Sequence, residues 1–294
     1  MTARKDRKLE RKIFAKMMEN SDEELFDRKM FLEKSLAESL LKADSASRDY
    51  VYEEVYDKIH NFFLQNKKDR SFLYKSLTTI PLWTTTSMCR VIGKNKKVLE
   101  VGCGDGILSL ALASNGNDVI GIDVSSTCIS ISRRNSQIFG VNAEFRQLNG
   151  VKLDFLDESF DCVISKDLFE HLHPSDVYVH LKETYRVLKS KGFYLIITPD
   201  KLVGFSNPLH LKEYTCHELN QMLKAVGFSS IKSFLLHHYL PFNLIVPVTN
   251  KICFEKNVYR LKNRLHIPSN YFVFLMMSAI GLADLSVIAY KNAD

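Results

Sequence analysis

Two groups of residues in this sequence have types and spacings that are suited to chemistry. The first group is a run of alternate glycines, Gly102, Gly104 and Gly106, which directly follows an apolar stretch over 98–101 that contains the acidic Glu100. Glycine lets the backbone turn tightly and approach a ligand closely, because it carries no side chain. An apolar strand that runs into such a turn and then into a helix predicts a ligand-binding loop at the edge of a sheet.

The composition of this turn discriminates between ligand classes. A dinucleotide-binding turn has a further glycine at the position that Ile107 occupies here. The carboxylate of Glu100 would also repel a pyrophosphate held at the N-terminus of the following helix. S-adenosylmethionine carries an ammonium and a sulfonium group and no phosphate, so an acidic turn suits it. An ordinary tight turn in an unrelated α/β protein is the alternative interpretation.

The second group follows the fourth predicted strand and consists of Asp167, Glu170 and His171. If this segment is helical, the three side chains share one face, since residues three and four apart are neighbours on a helix. His210 follows the fifth predicted strand and therefore emerges at the same edge of the sheet. Two carboxylates and two imidazoles suit Mg²⁺, Mn²⁺ or Zn²⁺. The alternative is a site without metal, in which His171 or His210 acts as a general base.

The elements that must position both groups alternate between short apolar runs and helical patterns, which is typical of a doubly wound parallel sheet. Predicted strands cover 98–101, 118–123, 143–147, 162–165, 193–197 and 230–237. Predicted helices include one that begins near Ser125, one over 177–188 and one over 218–226 that Gly227 closes. Apolar residues at helical spacings also predict helices over most of 3–66.

The glycine turn with its acidic residue, Glu-x-Gly-x-Gly-x-Gly from Glu100, resembles the first motif of class I S-adenosylmethionine-dependent methyltransferases. The similarity extends over about 98–228. The resemblance implies a Rossmann-like, doubly wound α/β fold with a seven-stranded sheet, whose antiparallel last strand fits residues 283–290. It implies S-adenosyl-L-methionine as the cofactor, and it implies that N-terminal helices lie over the active site as a lid.

Two further positions fit the donor contacts that the resemblance implies. Asp123 ends the second predicted strand, 17 positions after Gly106, where an acidic residue receives the two ribose hydroxyls; an N-cap for the next helix is the alternative. Asn149-Gly150 follows the third strand, where related methyltransferases usually have an aspartate that binds the adenine amino group. Asn accepts through its carbonyl oxygen, and a plain Asn-Gly turn is the alternative. We therefore expect the donor to contact Glu100, Gly102, Cys103, Gly104, Gly106, Asp123, Val124, Asn149, Gly150 and Lys166.

The second group resembles the sites of two families. Asp167, Glu170, His171 and His210 resemble the Glu-x-x-Glu-His…His metal site of the small-RNA 3′-terminal 2′-O-methyltransferases, and the acidic-x-x-Glu-His portion is similar to the ubiquinone-pathway O-methyltransferases. Both families have Glu where this chain has the shorter Asp167. The resemblance implies Glu170, His171 and His210 as ligands of a divalent metal, with Asp167 as the weaker candidate. Without a metal, His171 or His210 is the expected catalytic base. A Glu-His pair that only shapes the pocket, as in metal-free small-molecule methyltransferases, is the alternative.

The chain has 294 residues, of which 46% are hydrophobic and 25% are charged, and this is enough for one large core. We predict an N-terminal helical lid region over 1–80, an S-adenosylmethionine-binding core over 81–238, an insertion or cap over 239–282 and the last core strand over 283–294. The apolar stretch over 242–254 is too short to span a bilayer and fits a pocket cap or a peripheral membrane contact. Trp83 fits either the acceptor pocket or a core anchor. His173 and His180 are expected on a surface loop and on a helix face.

The net charge of +6 is modest, so a nucleic-acid partner is not expected. The basic run over 4–12 fits a solvated helix face, with RNA or lipid head groups as the alternative. The six cysteines have no Cys-x-x-Cys spacing, which disfavours a thiolate zinc site and suits a cytoplasmic protein. We predict a methyltransferase that acts on a small molecule, with a hydroxyl oxygen as the favoured acceptor. An RNA methyltransferase and a non-catalytic S-adenosylmethionine-binding protein are the alternatives.

Overall fold

The computed structural model describes residues 23–65, 88–199, 207–237, 246–248 and 282–292. The basic run over 4–12, Trp83 and nearly all of the predicted insertion lie outside the described residues, so the expectations for them stay predictions. Among the helices of the described part of the chain, none is both long enough and apolar enough to cross a membrane.

The described strands form one mixed sheet. They are β1 (Lys97–Val101), β2 (Asp118–Asp123), β3 (Glu144–Gln147), β4 (Phe160–Lys166), β5 (Leu188–Pro199), β6 (Ser230–His237), β7 (Val246–Val248) and β8 (Leu282–Tyr290). The strand order is β3-β2-β1-β4-β5-β8-β6-β7. The first five strands pair in parallel, and β8 runs antiparallel to both β5 and β6. The seven-stranded sheet with an antiparallel last strand is confirmed, and the short β7 adds an eighth strand at the edge.

The described helices are α1 (Glu23–Lys42), α2 (Arg48–Gln65), α3 (Ile107–Ser114), α4 (Ser126–Phe139), α5 (Val177–Val187) and α6 (Cys216–Val226). Local chemistry explains several of their ends. The Ser125 hydroxyl accepts the Cys128 N–H (3.2 Å) at the start of α4, and Gly140 ends this helix in the left-handed conformation. Thr215 and Glu218 form a capping box at the start of α6.

Side chains of the parallel strands are buried on both faces of the sheet, as is usual when helices cover both sides. Leu99 on β1 belongs to a core cluster that includes Leu181 of α5 and Leu223 of α6. Its neighbour Val98 faces the opposite side and belongs to a cluster with Leu112 of α3. The sheet therefore has one apolar core on each face, and its carboxyl edge lies between them.

The N-terminal helices pack against the sheet domain. α1 and α2 share an apolar cluster with Leu209, which lies in the segment after β5. Arg48 at the start of α2 forms an ion pair with Asp176, which directly precedes α5, and the Tyr52 hydroxyl lies 3.2 Å from the same carboxylate. These contacts hold α2 beside the carboxyl edge of the sheet.

His180 corrects one expectation from the sequence. We expected this histidine on a helix face, whereas the structure buries it completely. The reason is that α5 turns this side toward the sheet, where His180 lies 2.7 Å from the Tyr194 hydroxyl of β5. Both ring nitrogens of this buried imidazole have hydrogen-bonding partners.

Candidate functional site

A cavity of about 270 Å³ lies at the carboxyl ends of β1 to β4, the edge at which open parallel sheets bind ligands. It is lined by Tyr52, Tyr56, His60, Gly102, Gly104, Asp123, Val124, Leu148, Asn149, Gly150, Lys166, Asp167, Leu168, His171 and Leu172. The first three of these residues lie on α2 at four-residue intervals and therefore share one face of that helix. α2 thus forms one wall of the cavity, and the sheet edge forms the rest.

The glycine turn is held by hydrogen bonds that its own N–H groups donate. The N–H of Gly102 donates to the carbonyl oxygen of Ile122 (2.8 Å), and the N–H of Gly104 donates to Oδ2 of Asp123 (2.9 Å). Gly104 has a φ of +53°, and a Cβ built there would meet no atom within 4 Å. Because Gly104 lines the cavity, a side chain at this position would enter the space that a ligand occupies.

Gly106 has a different task from Gly104. Its φ is +79°, and a Cβ there would lie 2.8 Å from Phe145 and 2.8 Å from Ser132. Gly106 is therefore needed for the packing of the turn against β3 and α4. Neither Gly106 nor the buried Cys103 is among the residues that line the cavity.

Asp123 is the last residue of β2 and lines the cavity. Its Oδ1 accepts the N–H of Ser125 (2.9 Å), and its exposed fraction is 9%. Burial raises the pKa of Asp123, while the Ser125 N–H and the nearby His60 act in the opposite direction. A carboxylate has about four lone-pair positions, so Asp123 keeps the capacity to accept ligand hydroxyls.

Glu100 lies behind the turn and does not line the cavity. Its side chain is buried, and Oε2 accepts a hydrogen bond from the Ser109 hydroxyl on α3 (2.5 Å). Burial raises the pKa of Glu100 to about 8. In this position the carboxyl group connects β1 to α3. Because Glu100 does not line the cavity, the contact with the donor that we expected from it would be indirect.

The loop after β3 is tied to α2. The Asn149 amide donates to Oδ1 of Asp49 (2.6 Å), and its carbonyl oxygen accepts the N–H of Val151 (2.9 Å). Two residues earlier, the Gln147 amide donates to Oε1 of Glu53 (2.8 Å). Both atoms of the Asn149 amide are therefore engaged, one of them by the helix that forms the opposite wall of the cavity.

Asp57 continues this row of carboxylates along α2. Its oxygens accept from the hydroxyls of Ser125 (2.5 Å) and Ser126 (2.9 Å) and from the N–H of Thr127 (3.2 Å). A carboxylate at the N-terminus of α4 also interacts favourably with the helix dipole. The row of Asp49, Glu53 and Asp57 thus bonds α2 to the carboxyl edges of β2 and β3.

Glu170, His171 and His210 bring one ligand-type atom each within 4.8 Å of one another; we call them the imidazole–carboxylate group. Nε2 of His171 lies 3.9 Å from Oε1 of Glu170, and Nε2 of His210 lies 4.0 Å from the same oxygen. The other carboxylate oxygen of Glu170 accepts from the Thr198 hydroxyl (2.9 Å). The loops after β4 and β5 therefore converge, as their shared edge predicts.

A second contact orients each imidazole. Nδ1 of His171 lies 3.0 Å from the carbonyl oxygen of Leu209, so Nδ1–H donates and Nε2 carries the lone pair of the neutral ring. Nδ1 of His210 lies 2.9 Å from Oε1 of Glu213. Burial and the neighbouring His210 lower the pKa of His171 to about 3, which keeps its ring neutral at pH 7.

Asp167 does not join this group. It has a left-handed φ of +52°, and the helical turn after it is a short 3₁₀ turn over Phe169–His171. The expectation that a helix would align three side chains on one face is therefore wrong for Asp167. Its carboxylate lines the cavity and forms an ion pair with Lys166.

The sequence of this chain matches a known protein family over part of its length. A family model described as a methyltransferase domain matches residues 98–192, from β1 into β5. This range contains the glycine turn, Asp123 and the strand-four loop in the geometry described above. Residues 98–192 therefore form a methyltransferase domain of the class I, S-adenosylmethionine-dependent type. S-adenosyl-L-methionine is the cofactor of this class.

Two curated relatives each match less than half of this chain. The ubiquinone biosynthesis O-methyltransferase of Pseudomonas entomophila is 37% identical over 127 residues, which make up 42% of this chain and 53% of the relative. A probable S-adenosylmethionine-dependent methyltransferase of Mycolicibacterium smegmatis is 31% identical over 140 residues, or 45% of this chain and 52% of the relative. The chain spans about half the length of these curated relatives.

A solved structure resembles the fold more widely. The 1,6-didemethyltoxoflavin-N1-methyltransferase of Burkholderia thailandensis, with bound 1,6-didemethyltoxoflavin and S-adenosylhomocysteine, has a TM-score of 0.54. The match covers 82% of this chain and 90% of that chain, at 17% sequence identity. At this identity the likeness shows the methyltransferase fold alone, because one fold hosts many substrates.

The cavity at the carboxyl ends of β1 to β4 is lined by most of the residues that we expected at the donor site. Those that line it are Gly102, Gly104, Asp123, Val124, Asn149, Gly150 and Lys166, whereas Glu100, Cys103 and Gly106 do not. Sequence reasoning missed the contribution of α2, namely Tyr52, Tyr56 and His60. The signal was present as a four-residue repeat of aromatic residues beside a four-residue repeat of acidic ones.

Proposed function

We propose that this chain transfers the methyl group of S-adenosylmethionine to a hydroxyl oxygen of a small-molecule acceptor. One observation carries the proposal: His171 belongs both to the cavity wall and to the imidazole–carboxylate group. Side chains that can activate a hydroxyl therefore adjoin the donor cavity. The Pseudomonas relative, whose printed name is an O-methyltransferase, supports the same acceptor atom. The modest net charge of +6 favours a small molecule over RNA.

For this reaction the protein mainly has to align the methyl donor with the acceptor. Methyl transfer is an in-line displacement from a sulfonium that is already a good leaving group, so orientation supplies much of the rate. In this proposal the glycine turn and Asp123 hold the donor, with the Asp123 carboxylate accepting from the ribose hydroxyls. A hydroxyl acceptor must also lose its proton, which requires a base or a metal beside it.

We further propose that Glu170, His171 and His210 bind a divalent cation. Two imidazole nitrogens and one carboxylate oxygen are a donor set that suits divalent transition metals. The Leu209 carbonyl and the Glu213 carboxylate hold the far sides of the two rings, as outer partners do at metal sites. A metal bound there would lower the pKa of an acceptor hydroxyl. A general base without metal, His171 or His210, is the alternative; burial lowers the pKa of His171 to about 3, which makes His171 a poor base at neutral pH.

We also propose a cytoplasmic location, a lid role for the region over 1–80 and a cap or membrane contact over 239–282. The contacts of Tyr52, Tyr56 and Asp57 support the lid role, since they connect α2 to the cavity and to the start of α4.

Titration with Mn²⁺, followed by the electron paramagnetic resonance signal of the free ion, tests the metal proposal without any acceptor. The wild-type protein should bind Mn²⁺, and His210→Ala should weaken binding at least tenfold, because it removes a ligand. His217→Ala is the matched control, since His217 is an exposed histidine on α6, and it should leave the affinity unchanged. Equal Mn²⁺ affinity in all three proteins contradicts the metal proposal.

Methyl transfer itself is tested by measuring S-adenosylhomocysteine formation with a panel of simple phenols and catechols. We expect product with Mn²⁺ or Mg²⁺ present, and loss of product in excess chelator. Full turnover in chelator would reject the metal and leave His171 or His210 as the base. If the protein binds S-adenosylhomocysteine but methylates none of the panel, the hydroxyl-acceptor proposal fails. If it binds no S-adenosylhomocysteine, the methyltransferase proposal fails as a whole.

A further inference from the structure

A chain of buried hydrogen bonds connects the cavity wall to α5 and the sheet. Nδ1 of His180 lies 2.6 Å from the carbonyl oxygen of Gly150, and Nε2 lies 2.7 Å from the Tyr194 hydroxyl. The Tyr194 oxygen lies 2.6 Å from the hydroxyl of Ser165 on β4. His180, Tyr194 and Ser165 each have an exposed fraction of 0%. Polar groups buried this deeply are retained only when their partners satisfy them.

The direction of every bond in this chain follows from its acceptor end. The Gly150 carbonyl can only accept, so Nδ1 of His180 carries the proton and donates. Burial lowers the pKa of His180 to about 4, so the ring is neutral and Nε2 must accept from the Tyr194 hydroxyl. The Tyr194 oxygen then accepts from the Ser165 hydroxyl. The tautomer of His180 is therefore determined, and its one N–H is directed at Gly150.

Gly150 belongs to the loop that lines the cavity after β3. A Cβ at this position would lie 2.6 Å from Cγ1 of Val101, so the loop crosses closely over the end of β1. The residues on either side of Gly150 are also connected, since the side-chain oxygen of Asn149 accepts the N–H of Val151. The bond from His180 fixes the Gly150 carbonyl from α5, a helix that contributes no residue to the cavity lining.

We propose that His180 is a positioning residue for donor binding, because its Nδ1–H holds the Gly150 carbonyl and so sets where Asn149 and Gly150 stand in the cavity wall. His180 itself does not line the cavity and acts only through this loop. The inference rests on the proposed function to the extent that the donor must bind in this cavity. Tyr194 contributes by holding the ring in the orientation and tautomer that the bond requires.

The experiment compares two replacements of His180 by calorimetric titration with S-adenosylhomocysteine. His180→Leu has similar volume but no donor, and it should raise the dissociation constant about tenfold, the scale of one lost hydrogen bond with its unpaired acceptor. His180→Asn has an amide nitrogen at the same distance along the side chain as Nδ1, and it should restore the affinity to within about threefold of wild type. Rescue by Asn separates positioning from a loss of packing.

Two further variants complete the test. Leu223→Ala opens the same core at a residue of α6 that does not line the cavity, so it should lower stability and leave the affinity unchanged. If His180→Leu fails to fold, the double variant His180→Leu, Tyr194→Phe removes both partners of the central bond and should fold, with the same tenfold loss of affinity. Wild-type affinity in folded His180→Leu or in the double variant, or equal weakening by Leu and Asn, overturns the proposal. Absence of binding by wild type instead refutes the proposed function.

Discussion

Replacement of Gly104 by alanine tests the donor cavity with a single methyl group. The φ of +53° is left-handed, and a non-glycine residue in this conformation costs about 1–2 kcal/mol of stability. No atom lies within 4 Å of the added Cβ, so no packing cost is added to this strain. Gly104→Ala should therefore fold. Its methyl group enters the cavity, and we expect the affinity for S-adenosylhomocysteine to fall at least tenfold.

Gly140 offers a matched control, and Gly106 offers a contrast. Gly140 ends α4 with a φ of +62°, and a Cβ there also meets nothing within 4 Å. Gly140→Ala should therefore lose about the same 1–2 kcal/mol of stability and no donor affinity. At Gly106 the added Cβ would lie 2.8 Å from Phe145 and from Ser132. Overpacking of about 1–3 kcal/mol then adds to the strain, so Gly106→Ala should be the least stable of the three.

Urea unfolding measures the stability of each variant, and calorimetric titration with S-adenosylhomocysteine measures its affinity. The combination separates a methyl group that blocks the ligand from one that only strains the backbone. Our reasoning is refuted if Gly104→Ala binds as tightly as Gly140→Ala while both are folded. It is also refuted if Gly106→Ala is as stable as the other two, because the contact with Phe145 would then carry no cost.

Two further predictions concern carboxylates of the site. Burial raises the pKa of Glu100 from 4.5 to about 8, so the free energy of unfolding should fall as the pH rises between these two values, by up to roughly 1.4 kcal/mol per pH unit. Glu100→Gln should remove this slope in urea titrations across the range, and an unchanged slope would contradict the prediction. Asp123→Asn should weaken S-adenosylhomocysteine binding about tenfold to a hundredfold, the scale of a lost charged hydrogen bond. Calorimetry on folded protein checks this, and wild-type affinity would exclude Asp123 from the donor site.

Much of the fold was predictable because its signals are local. β2 and β6 span the predicted residues, and the ends of β1, β3 and β8 differ from the prediction by one residue. Strand β5 is longer than predicted, since it begins at Leu188 and pairs with β4 across a bulge between Phe160 and Cys162. An apolar run bounded by polar residues specifies a strand whatever it later packs against, so these predictions needed no tertiary information.

The candidate site was predictable to a smaller degree. The prediction that His210 lies near His171 was correct, because the loops after parallel strands emerge at the same edge of a sheet. Asp167 was misplaced because the argument assumed a helix where the backbone takes a left-handed turn. The residues of α2 were missed because their four-residue repeat defines one face of the helix but does not show that this face meets a distant strand edge.

By itself, the sequence determined the strand and helix pattern, the glycine turn and the edge at which ligand-type side chains collect, since each depends on residues close together in the chain. Only the tertiary structure decided that Gly104 faces the cavity while Gly106 packs against Phe145. It alone decided that His180 is buried with its N–H on the Gly150 carbonyl, 30 positions away in the chain. The physical reason is that these roles are set by which atoms meet across elements, and contacts between residues far apart in the chain leave no periodic trace in the sequence.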